Sequence, residues 1–484
     1  MRTLKISIAS FSILMLIFAG CNVKKGSDQE SGFSSSELDS VYQEALANYQ
    51  LLCAGCHGRK VMAFVDREWE NGSSVEFIAS RIREGDADDG MPPFAAALSE
   101  EEVLELAEYL NRNIGNLSQY EFKERPDITQ VFESEKLNYT LEVVAGGMEI
   151  PWGMAFLPDD HMLITDRNGK MYLRTEEGTM TEVEGVPEVL YKGQGGLMDV
   201  ELHPDFEENS IIYISYSIFR EEGSDILSTT AIASARLDGA KLEELEVILE
   251  ALPYSQKRHH YGSRLEFDRE GYLFFSVGDR GNRDVNPQTL DNHCGKIHRV
   301  HADGTIPEDN PFIGTEGAMP SIFSYGHRNP QGVIIHPETG EIWTHEHGPR
   351  GGDEINVIGP GMNYGWPVIS YGINYDGTIF TSFTEEEGME QPLHYWVPSI
   401  APCGMAFITG DRYPQWEGNL LVGSLKYEYL NMCVIKNGEV VSEEMLLKNI
   451  GRLRNVKVGP DGYIYVGVED PGTIYRLIPV TVNV

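Results

Sequence analysis

The chain has little positive charge for its length. Its 484 residues contain 38 Lys and Arg against 75 Asp and Glu, which gives a net charge of −37. Such an acidic surface repels phosphate backbones and anionic lipid headgroups. Nucleic acid is therefore disfavoured as a partner, whereas a neutral small molecule or a basic redox protein is compatible with this charge.

Cysteine is also scarce, with six residues in the whole chain. Two of them belong to a motif described below, and one ends the N-terminal segment. The other three, Cys294, Cys403 and Cys433, are odd in number and far apart, so they predict no disulfide framework. We expect them to be buried and reduced.

Long apolar runs are missing beyond the N-terminus. The run over 6–18 follows a positively charged start and is too short for a secure membrane-spanning helix. It ends in the sequence FAGC at Cys21, which is similar to the acylation site of bacterial lipoproteins. Residues 1–21 are therefore predicted to be a lipoprotein-type signal peptide, with plain secretion as the alternative, and 22–36 a flexible tether. Both readings place the protein outside the cytoplasm, and the first anchors it by lipid to a bacterial membrane, facing the periplasm or the cell surface.

The sequence Cys53-Ala54-Gly55-Cys56-His57 reads C-x-x-C-H. Two thiols at this spacing add across the two vinyl groups of a haem, and the adjacent imidazole then becomes an axial ligand of the iron. The motif predicts a covalently bound haem c that performs one-electron chemistry. A short zinc-binding or redox C-x-x-C loop is the alternative interpretation.

Helical patterns surround this motif over 37–115. An amphipathic stretch runs directly into it, and two further helices are predicted to begin at the capping boxes Ser73-x-x-Glu76 and Ser99-x-x-Glu102. Together they predict a complete small all-α domain.

The loop between the two capped helices contains Met91, followed by two prolines. A methionine on a rigid loop is suited to offer its thioether to the iron on the face opposite His57. Met62 is a competitor, but it is so close to the histidine in sequence that it reaches the other haem face with difficulty. The order of helix, C-x-x-C-H, helix, methionine loop and helix resembles a class I cytochrome c domain.

A polar linker is predicted over 116–138, and from residue 139 to residue 484 strand-like runs alternate with tight turns. One phrase recurs: an apolar strand, a turn rich in Pro, Asp and Gly, and a second strand. Its copies are residues 153–166, 197–217, 263–279, 331–347, 404–424 and 455–470. Six β-rich units predict an all-β six-bladed β-propeller after the small all-α domain, with a seven-bladed propeller as the main alternative. The strand over 472–479 is expected to pair with 139–145 and close the ring.

Polar residues that do not repeat stand at the ends of the predicted blades. They are Gln194, His259, His260, Arg328, Asn329, the Gly348-Pro349 turn with Asp353 and Glu354, Lys426, Arg452 and Arg454. Each of these residues, taken alone, could be an ordinary solvated or turn-forming side chain. Together, four cations from three blades would form a pocket for a polyanion if they converge on the channel. A polycarboxylate cofactor fits such a pocket, and nearby carbonyls with a Glu could hold Ca²⁺ beside it.

In order and type, these loops resemble those of the pyrroloquinoline quinone (PQQ)-dependent sugar dehydrogenases, which include soluble glucose dehydrogenase and the aldose sugar dehydrogenases, over about 139–480. The resemblance implies that His260 is the general base that takes the proton of the anomeric hydroxyl as hydride passes to the quinone. It also implies that Arg328 stabilises the charge that develops there. The residues that would hold PQQ are Gln194, Asn329, Ser399, Lys426, Arg452 and Arg454.

The resemblance further implies two calcium sites. The carbonyls of Gly348 and Pro349 would bind the Ca²⁺ that polarises the quinone, and Glu354 with the carbonyl of Tyr364 would bind a structural Ca²⁺. The chain departs from the glucose enzyme in having His259 before the base and His347 before the Gly-Pro turn. Ser399 replaces a threonine, and the segment over 366–396 is short. These departures favour the broader aldose branch.

The resemblance, together with the haem motif, thus implies an enzyme that oxidises an aldose at C1 to the lactone with PQQ and Ca²⁺ and passes electrons to its own haem. A downstream redox protein or respiratory chain would be the final acceptor. Another sugar or alcohol substrate is one alternative. A non-catalytic propeller that binds carbohydrate or protein, with the haem as a separate carrier, is another. A lactonase-type hydrolase would need a channel lined with carboxylates, where these loops offer cations.

Overall fold

The computed structural model describes residues 41–57, 72–85, 91–114, 120, 122 and 124–480. The predicted signal peptide and tether, the side chain of Cys56, and Met62 lie outside the described residues. Within these ranges, no helix has the length and apolar character needed to cross a bilayer.

The described residues of the N-terminal unit form the helices α1 (Gln43–Leu52), α2 (Ala54–His57), α3 (Val75–Glu84) and α4 (Glu100–Ile114). Their apolar stripes meet in one small core that includes Tyr49, Ile78 and Leu106, all of them buried. The packing follows from the 3.6-residue spacing of apolar positions along each helix.

One of the two predicted capping boxes is confirmed and the other is wrong by one residue. At α4, the Ser99 hydroxyl accepts from the Glu102 amide at 3.3 Å, and the Glu102 carboxylate accepts from the Ser99 amide at 2.7 Å. At α3, the N-cap is Ser74 rather than Ser73, and its hydroxyl accepts from the Phe77 amide at 3.2 Å. Ser74 has the extended backbone that an N-cap needs, while the Ser73 carbonyl accepts from Asn111 instead.

The remaining chain forms six four-stranded antiparallel sheets, which confirms the six-bladed propeller and shows that the seven-bladed alternative is wrong. The strands, in chain order, are β1 (Tyr139–Ala145); β2 (Pro151–Phe156), β3 (Met162–Asp166), β4 (Lys170–Arg174) and β5 (Met180–Glu182); β6 (Leu197–Leu202), β7 (Ile211–Glu222), β8 (Asp225–Leu237) and β9 (Leu242–Glu250), with the short helix α5 (Phe206–Asn209); β10 (Leu265–Phe267), β11 (Leu273–Val277), β12 (Lys296–Val300) and β13 (Ile322–Tyr325); β14 (Pro330–Ile335), β15 (Ile342–Glu346), β16 (Asp353–Ile358) and β17 (His394–Trp396); β18 (Pro402–Phe407), β19 (Leu420–Ser424), β20 (Leu430–Lys436) and β21 (Glu439–Leu446); and β22 (Leu453–Val458), β23 (Ile464–Val468) and β24 (Thr473–Pro479).

The ring closes as predicted, because β1 pairs with β24 in the last sheet, Tyr139 opposite Pro479. Each recurring strand–turn–strand phrase is the inner hairpin of one blade, such as β2–β3 or β14–β15. Cys294, Cys403 and Cys433 are buried, as expected.

Antiparallel pairing brings the start of each inner strand and the end of the next strand to the same end of a blade. In the fourth blade, Pro330 at the start of β14 is paired with Glu346 at the end of β15. In the sixth, Leu453 is paired with Val468. Loops that precede the first strand and follow the second therefore collect at one mouth of the central channel. All the predicted propeller site residues except Tyr364 lie in or beside such loops.

Candidate active site

His260, the predicted general base, forms a hydrogen-bonded pair with Asp279 in the third blade. His260 precedes β10 and Asp279 follows β11, so both stand at the same end of the third blade. The His260 Nδ1 lies 2.6 Å from the Asp279 Oδ1, and the carboxylate is buried. Asp279 also accepts from the Gly281 amide at 2.7 Å and from the Trp366 indole at 2.9 Å. With Nδ1 bound to the carboxylate, Nε2 is the ring nitrogen left to accept a proton from a substrate.

The surroundings keep this imidazole neutral. Burial lowers the pKa of His260, the cation of Arg328 lowers it further, and Asp279 opposes them only in part, so the pKa falls to about 4. A neutral histidine with an oriented tautomer is the state that a general base requires. His260 also has a φ of +56°, a left-handed backbone that is uncommon outside glycine and is held here by neighbouring loops.

Two predicted cofactor-binding residues and a glycine fix the backbone at and just after His260. Its amide donates to the Gln194 Oε1 at 2.7 Å. The Asn329 Oδ1 accepts from the Gly262 amide at 3.1 Å. A Cβ on Gly278 would lie 2.4 Å from the His260 carbonyl oxygen and 2.7 Å from the Asn329 Oδ1, so only glycine fits between them. Gln194 and Asn329 are thereby brought close to His260 and Asp279 from the second and fourth blades.

Arg328 is buried and held on both sides. Its amide donates to the Glu346 carboxylate at 2.5 Å, and its guanidinium donates to the His347 carbonyl at 3.0 Å. Its carbonyl accepts from the Asp279 amide at 2.7 Å, which links the third and fourth blades. The guanidinium stands 5.3 Å from the ring of Trp366. These contacts fix a positive charge close to His260.

Arg452 directly precedes β22 and Arg454 is the second residue of this strand. Both bind the carboxylate of Glu469, which follows β23. The Nε of each arginine donates to this carboxylate at 2.7 Å. Burial would raise the pKa of Glu469, but Arg454 and then Arg452 outweigh it and lower the pKa to about 2. The two arginines and the glutamate therefore carry a net charge of about +1. Lys426, from the fifth blade, adds a further cation beside the Leu425 carbonyl that accepts from Arg452.

The Gly348-Pro349 turn is closed by Asp353. This carboxylate accepts from the Gly348 amide at 2.8 Å, the Ala401 amide at 2.7 Å and the Ser399 hydroxyl at 2.9 Å. Ser399 also lies 3.1 Å from the Pro349 carbonyl oxygen. A Cβ on Gly348 would lie 2.2 Å from the Gly352 carbonyl oxygen, so the turn tolerates only glycine there. Ser399 and the turn are thus held together between the fourth and fifth blades.

Glu346 and Glu354 face each other across β15 and β16. Burial raises the pKa of Glu354 well above its usual range, and Glu346 raises it further. The Asn356 amide is shared between the two carboxylates at 3.3 Å from each, and its buried Oδ1 has no hydrogen-bond partner among the described residues. Glu346 is buried and already accepts from His327 and Arg328, while the half-buried Glu354 accepts only from Asn356 among the described residues. The Glu354 carboxylate and the orphaned amide oxygen are oxygen ligands of the kind that a hard divalent cation takes. The ring of Tyr364 packs against His327, which binds Glu346, so Tyr364 is also close.

The haem motif lies on a short helical turn in the N-terminal unit. The His57 amide donates to the Cys53 carbonyl at 3.0 Å, and the Tyr49 hydroxyl donates to the His57 carbonyl at 3.4 Å. A spacing of four residues places Cys53 and His57 on one helix face, as thioether and axial bonds to one haem require. The Met91 backbone packs on the end of α3, where a Cβ on Gly85 would lie 2.5 Å from the Met91 carbonyl oxygen. The methionine loop is therefore held in place by α3.

Sequence reasoning missed Asp279, Glu346, Glu469 and Trp366. The three acids share a place, at or just after the end of the second strand of a blade, and each binds the loop that opens the same blade. Asp166 does the same in the first blade, where it accepts from the amides of Glu149 and Ile150. An acidic residue closing four of the six repeated phrases was the signal that could have identified them.

Comparison with known proteins agrees with this geometry. The family described as glucose/sorbosone dehydrogenase matches residues 148–476. The family described as cbb3-type cytochrome c oxidase subunit III matches residues 41–110. The aldose sugar dehydrogenase YliI of Escherichia coli K12 is 42% identical over 347 residues, which cover 70% of this chain and 92% of that protein.

Solved structures show the same relationship. The soluble aldose sugar dehydrogenase of E. coli, in its apo form, is 40% identical with a TM-score of 0.68, and the match covers 71% of this chain and 100% of that chain. The PQQ-bound aldose sugar dehydrogenase of Streptomyces coelicolor is 26% identical with a TM-score of 0.57, and the match covers 71% of this chain and 98% of that chain. The chain therefore belongs to the glucose/sorbosone dehydrogenase family, as a PQQ-dependent aldose sugar dehydrogenase propeller that follows an N-terminal cytochrome c domain.

Proposed function

We propose that this protein oxidises an aldose at C1 to the lactone, using PQQ and Ca²⁺, and passes the electrons to a haem c attached at Cys53 and Cys56. The observation that carries the proposal is the neutral, oriented His260 beside the fixed cation of Arg328 at one mouth of the channel. PQQ, with Ca²⁺ beside it, supplies the two-electron acceptor when bound. His260 holds the proton released from the anomeric hydroxyl at Nε2, and Asp279 stabilises the imidazolium that results.

The remaining site residues bind and orient. Arg452, Arg454 and Lys426 offer positive charge to the cofactor carboxylates, and Gln194, Asn329 and Ser399 offer neutral polar groups to its oxygens. The carbonyls of Gly348 and Pro349 would ligate the Ca²⁺ at the cofactor. Glu354 and the Tyr364 carbonyl, with Glu346 and Asn356 alongside, would ligate a structural Ca²⁺.

The haem domain would receive the electrons one at a time. Each sugar that becomes a lactone releases two electrons and two protons, and a haem, which carries one electron at a time, would have to pass on the first electron before it takes the second. His57 and Met91 would bind the haem iron. A soluble redox protein or a respiratory chain outside the cytoplasm would reoxidise it, and the lipid anchor predicted at Cys21 would hold the protein on a bacterial membrane.

An anaerobic spectrum tests the proposal. The holoprotein, loaded with PQQ and Ca²⁺, is mixed with a panel of aldoses while the α-band of reduced haem is followed. Reduction should require sugar, PQQ and Ca²⁺ together and should disappear in His260→Ala. If an artificial dye is reduced but the haem is not, the dehydrogenase activity is supported and the transfer of electrons from PQQ to the haem is contradicted. If neither the dye nor the haem is reduced and PQQ does not bind, the proposal is overturned.

Glu469→Gln should weaken the apoprotein and enlarge its response to PQQ. The change leaves Arg452 and Arg454 without their shared carboxylate, and loss of one partner of a largely buried ion pair costs about 3 kcal/mol. A bound polycarboxylate would supply part of the missing negative charge. Thermal unfolding should therefore show a lower Tm without PQQ and a larger rise in Tm on adding PQQ than in the wild type.

Glu142→Gln is the matched control, because Glu142 pairs with Arg476 at 2.8 Å on the exposed side of the same blade. An exposed pair contributes at most about 1 kcal/mol, and its loss should leave the PQQ response unchanged. A PQQ response in Glu469→Gln that is equal to or smaller than that of the wild type would contradict a cofactor carboxylate at these arginines.

A further inference from the structure

We propose that Lys296 is a positioning residue for His260 and Asp279, because its ammonium fills a cation site of backbone carbonyls that orders the loop over 280–294. The inference rests on the proposed function and deepens it. Lys296 is fully buried at the start of β12. It would touch neither sugar nor cofactor and would act through the loop that follows Asp279.

The ammonium of Lys296 is enclosed by carbonyl oxygens. Its Nζ donates to the carbonyls of Asn286 at 2.6 Å, Cys294 at 2.7 Å and Pro287 at 3.3 Å. A lysine ammonium has three N–H donors, so each donor has an acceptor here. All the acceptors that it has among the described residues are neutral backbone oxygens. The three oxygens therefore form a site for a monovalent cation, and the lysine side chain carries that cation into it.

The charge of Lys296 is unfavourable for burial alone, because an ammonium loses its hydration in the protein interior. Burial lowers the pKa of Lys296 to about 7, and the nearby Cys294, Asp291 and Asp279 oppose this effect only in part. An apolar side chain of similar length, such as methionine, would avoid the cost. The ammonium adds a set of hydrogen bonds that ties together three points of one loop.

Asn286 connects the ammonium directly to Asp279. The Asn286 side-chain amide donates to the Asp279 carbonyl at 3.0 Å. The Asn286 backbone amide donates to the Asn282 carbonyl at 3.0 Å, and the Asn282 amide donates to the same Asp279 carbonyl at 3.2 Å. The backbone of Asp279 is therefore held by two groups of the loop, and both depend on the place of Asn286.

Pro287 connects the ammonium to the carboxylate of Asp279 by a second route. The Gly326 amide donates to the Pro287 carbonyl at 3.0 Å, and the Trp366 amide donates to the Gly326 carbonyl at 2.9 Å. The Trp366 indole then donates to the Asp279 carboxylate at 2.9 Å. The orientation of this carboxylate thus depends on the same loop as its backbone does.

The end of the loop is fixed to the neighbouring strands by Gly295. The Gly295 amide donates to the Val277 carbonyl at 3.0 Å, and the His327 amide donates to the Gly295 carbonyl at 3.1 Å. Gly295 has a φ of +72°, and a Cβ there would lie 2.7 Å from the His327 carbonyl oxygen. Lys296 itself pairs with Val277, two residues before Asp279. The loop is therefore rigid at its end, and the ammonium ties its middle to that end.

Lys296→Ala with added methylammonium tests the cation site in the full-length holoprotein. Alanine leaves the three carbonyls without a donor and opens a space that methylammonium can enter. At about pH 6, below the pKa of the lysine, kcat for dye-linked sugar oxidation should fall roughly tenfold to a hundredfold, since small misplacements of catalytic groups have effects of this size. Methylammonium should restore most of the loss. The KM for sugar should change much less than kcat, because the pair acts on the proton that moves in the transition state.

Two comparisons separate the site from a general effect of salt or packing. Tetramethylammonium has the same charge but no N–H donor, so it should not restore kcat in Lys296→Ala. Lys296→Met fills the space with an apolar side chain, so its kcat should be low and should not respond to methylammonium. Lys296→Met also serves as the test if the alanine variant does not fold.

Proton NMR of the apoprotein gives a readout that needs neither sugar nor PQQ. The Nδ1 proton that His260 shares with Asp279 at 2.6 Å should give a downfield resonance, which is assigned by its absence in His260→Ala. This resonance should broaden or move upfield in Lys296→Ala and return when methylammonium is added. If no aldose is oxidised by the wild type, the proposed function fails, and the resonance still decides whether Lys296 positions the pair.

Lys457→Ala is the matched control, because Lys457 is another lysine with limited exposure, near the opposite end of its inner strand β22. Its ammonium binds the Glu201 carboxylate at 2.6 Å rather than a set of carbonyls. This variant should change neither kcat nor the His260 resonance.

Three outcomes would overturn the positioning role of Lys296. Wild-type kcat with an unchanged resonance in Lys296→Ala or Lys296→Met would show that the ammonium is not needed. Equal recovery with methylammonium and tetramethylammonium would show that the carbonyls do not bind the cation. A loss of kcat without any change in the resonance would show that the loop acts elsewhere than on His260 and Asp279.

Discussion

Replacing His260 with alanine should lower kcat for sugar oxidation by roughly 10²- to 10⁴-fold, which is the usual contribution of a general base. The reason is geometric: the Nδ1 is committed to Asp279 at 2.6 Å, and the Nε2 is the nitrogen left for the substrate proton. Dye-linked turnover at saturating sugar, with PQQ and Ca²⁺ bound, measures the loss. The KM for sugar should change much less than kcat, because the proton is transferred in the transition state.

His161→Ala is the control for this variant, because His161 also pairs with an aspartate, at 3.1 Å from Asp159, in the turn between β2 and β3 at the other end of the propeller. It should leave turnover unchanged. A loss of less than about threefold in His260→Ala, with normal PQQ content, would exclude His260 as the base.

Asp279 variants separate the orientation of His260 from the charge beside it. An asparagine that keeps its oxygen toward His260 and the Gly281 amide retains two hydrogen bonds and turns its NH₂ toward the Trp366 indole. Asp279→Asn therefore keeps the tautomer of His260 and loses the negative charge that stabilises the imidazolium. Asp279→Ala loses both, so its kcat should fall further than that of Asp279→Asn. Equal losses of kcat in the two variants would mean that the orientation of His260 by Asp279 contributes nothing to catalysis.

The acid limb of the pH profile follows from the pKa of His260. A base whose pKa is lowered to about 4 is deprotonated, and active, at every pH above that value. The protonation of His260 should therefore have no effect on kcat/KM from about pH 5 upward, and kcat/KM should fall as the pH drops through 4. An unperturbed histidine would instead lose activity below about pH 6.5.

The fold could be predicted from the sequence because each blade repeats one local pattern. An apolar strand, a Pro/Asp/Gly turn and a second apolar strand specify a hairpin by neighbouring residues alone, and all six predicted copies are inner hairpins. The closing pair of β1 and β24 was also predictable, since the first and last strands of such a ring must meet. The capping box at Ser73 failed because two adjacent serines offer the same chemistry, and the backbone at Ser74 decides between them.

The site was only partly predictable, because its cations stand out in an acidic chain while its carboxylates do not. Arg328 and Arg454 attract notice against a net charge of −37, whereas Asp279 and Glu469 are two among 75 acids. Asp279 and Glu469 differ from the other acids in their hydrogen-bond partners, which antiparallel pairing brings close from the start of the same blade. That relation joins residues distant in sequence and becomes visible only when the repeats are aligned on their strand ends.

Arg328→Ala should lower kcat by roughly 10²- to 10³-fold, the cost of removing one preorganised group that stabilises developing charge. It should also change the pH profile, since Arg328 is one of the causes that lower the pKa of His260. Removing the cation should move the acid limb from about pH 4 toward the ordinary range of histidine. Arg328→Lys keeps the charge but loses the planar group that donates to the His347 carbonyl, so it should lose less activity and keep the acid limb in place.

The pair of variants separates charge from geometry, which a single loss of activity would not do. Arg412→Ala is the control, because Arg412 also lies over an aromatic ring, 4.1 Å from that of Tyr463, and donates to the Asp461 carbonyl at the far end of the sixth blade. It should alter neither kcat nor the acid limb. If Arg328→Ala loses activity while the acid limb stays at pH 4, the arginine acts on bound cofactor or substrate without influencing His260. If Arg328→Lys loses as much activity as Arg328→Ala, the hydrogen bond from the guanidinium to the His347 carbonyl places the charge, and a lysine at the same position cannot replace it.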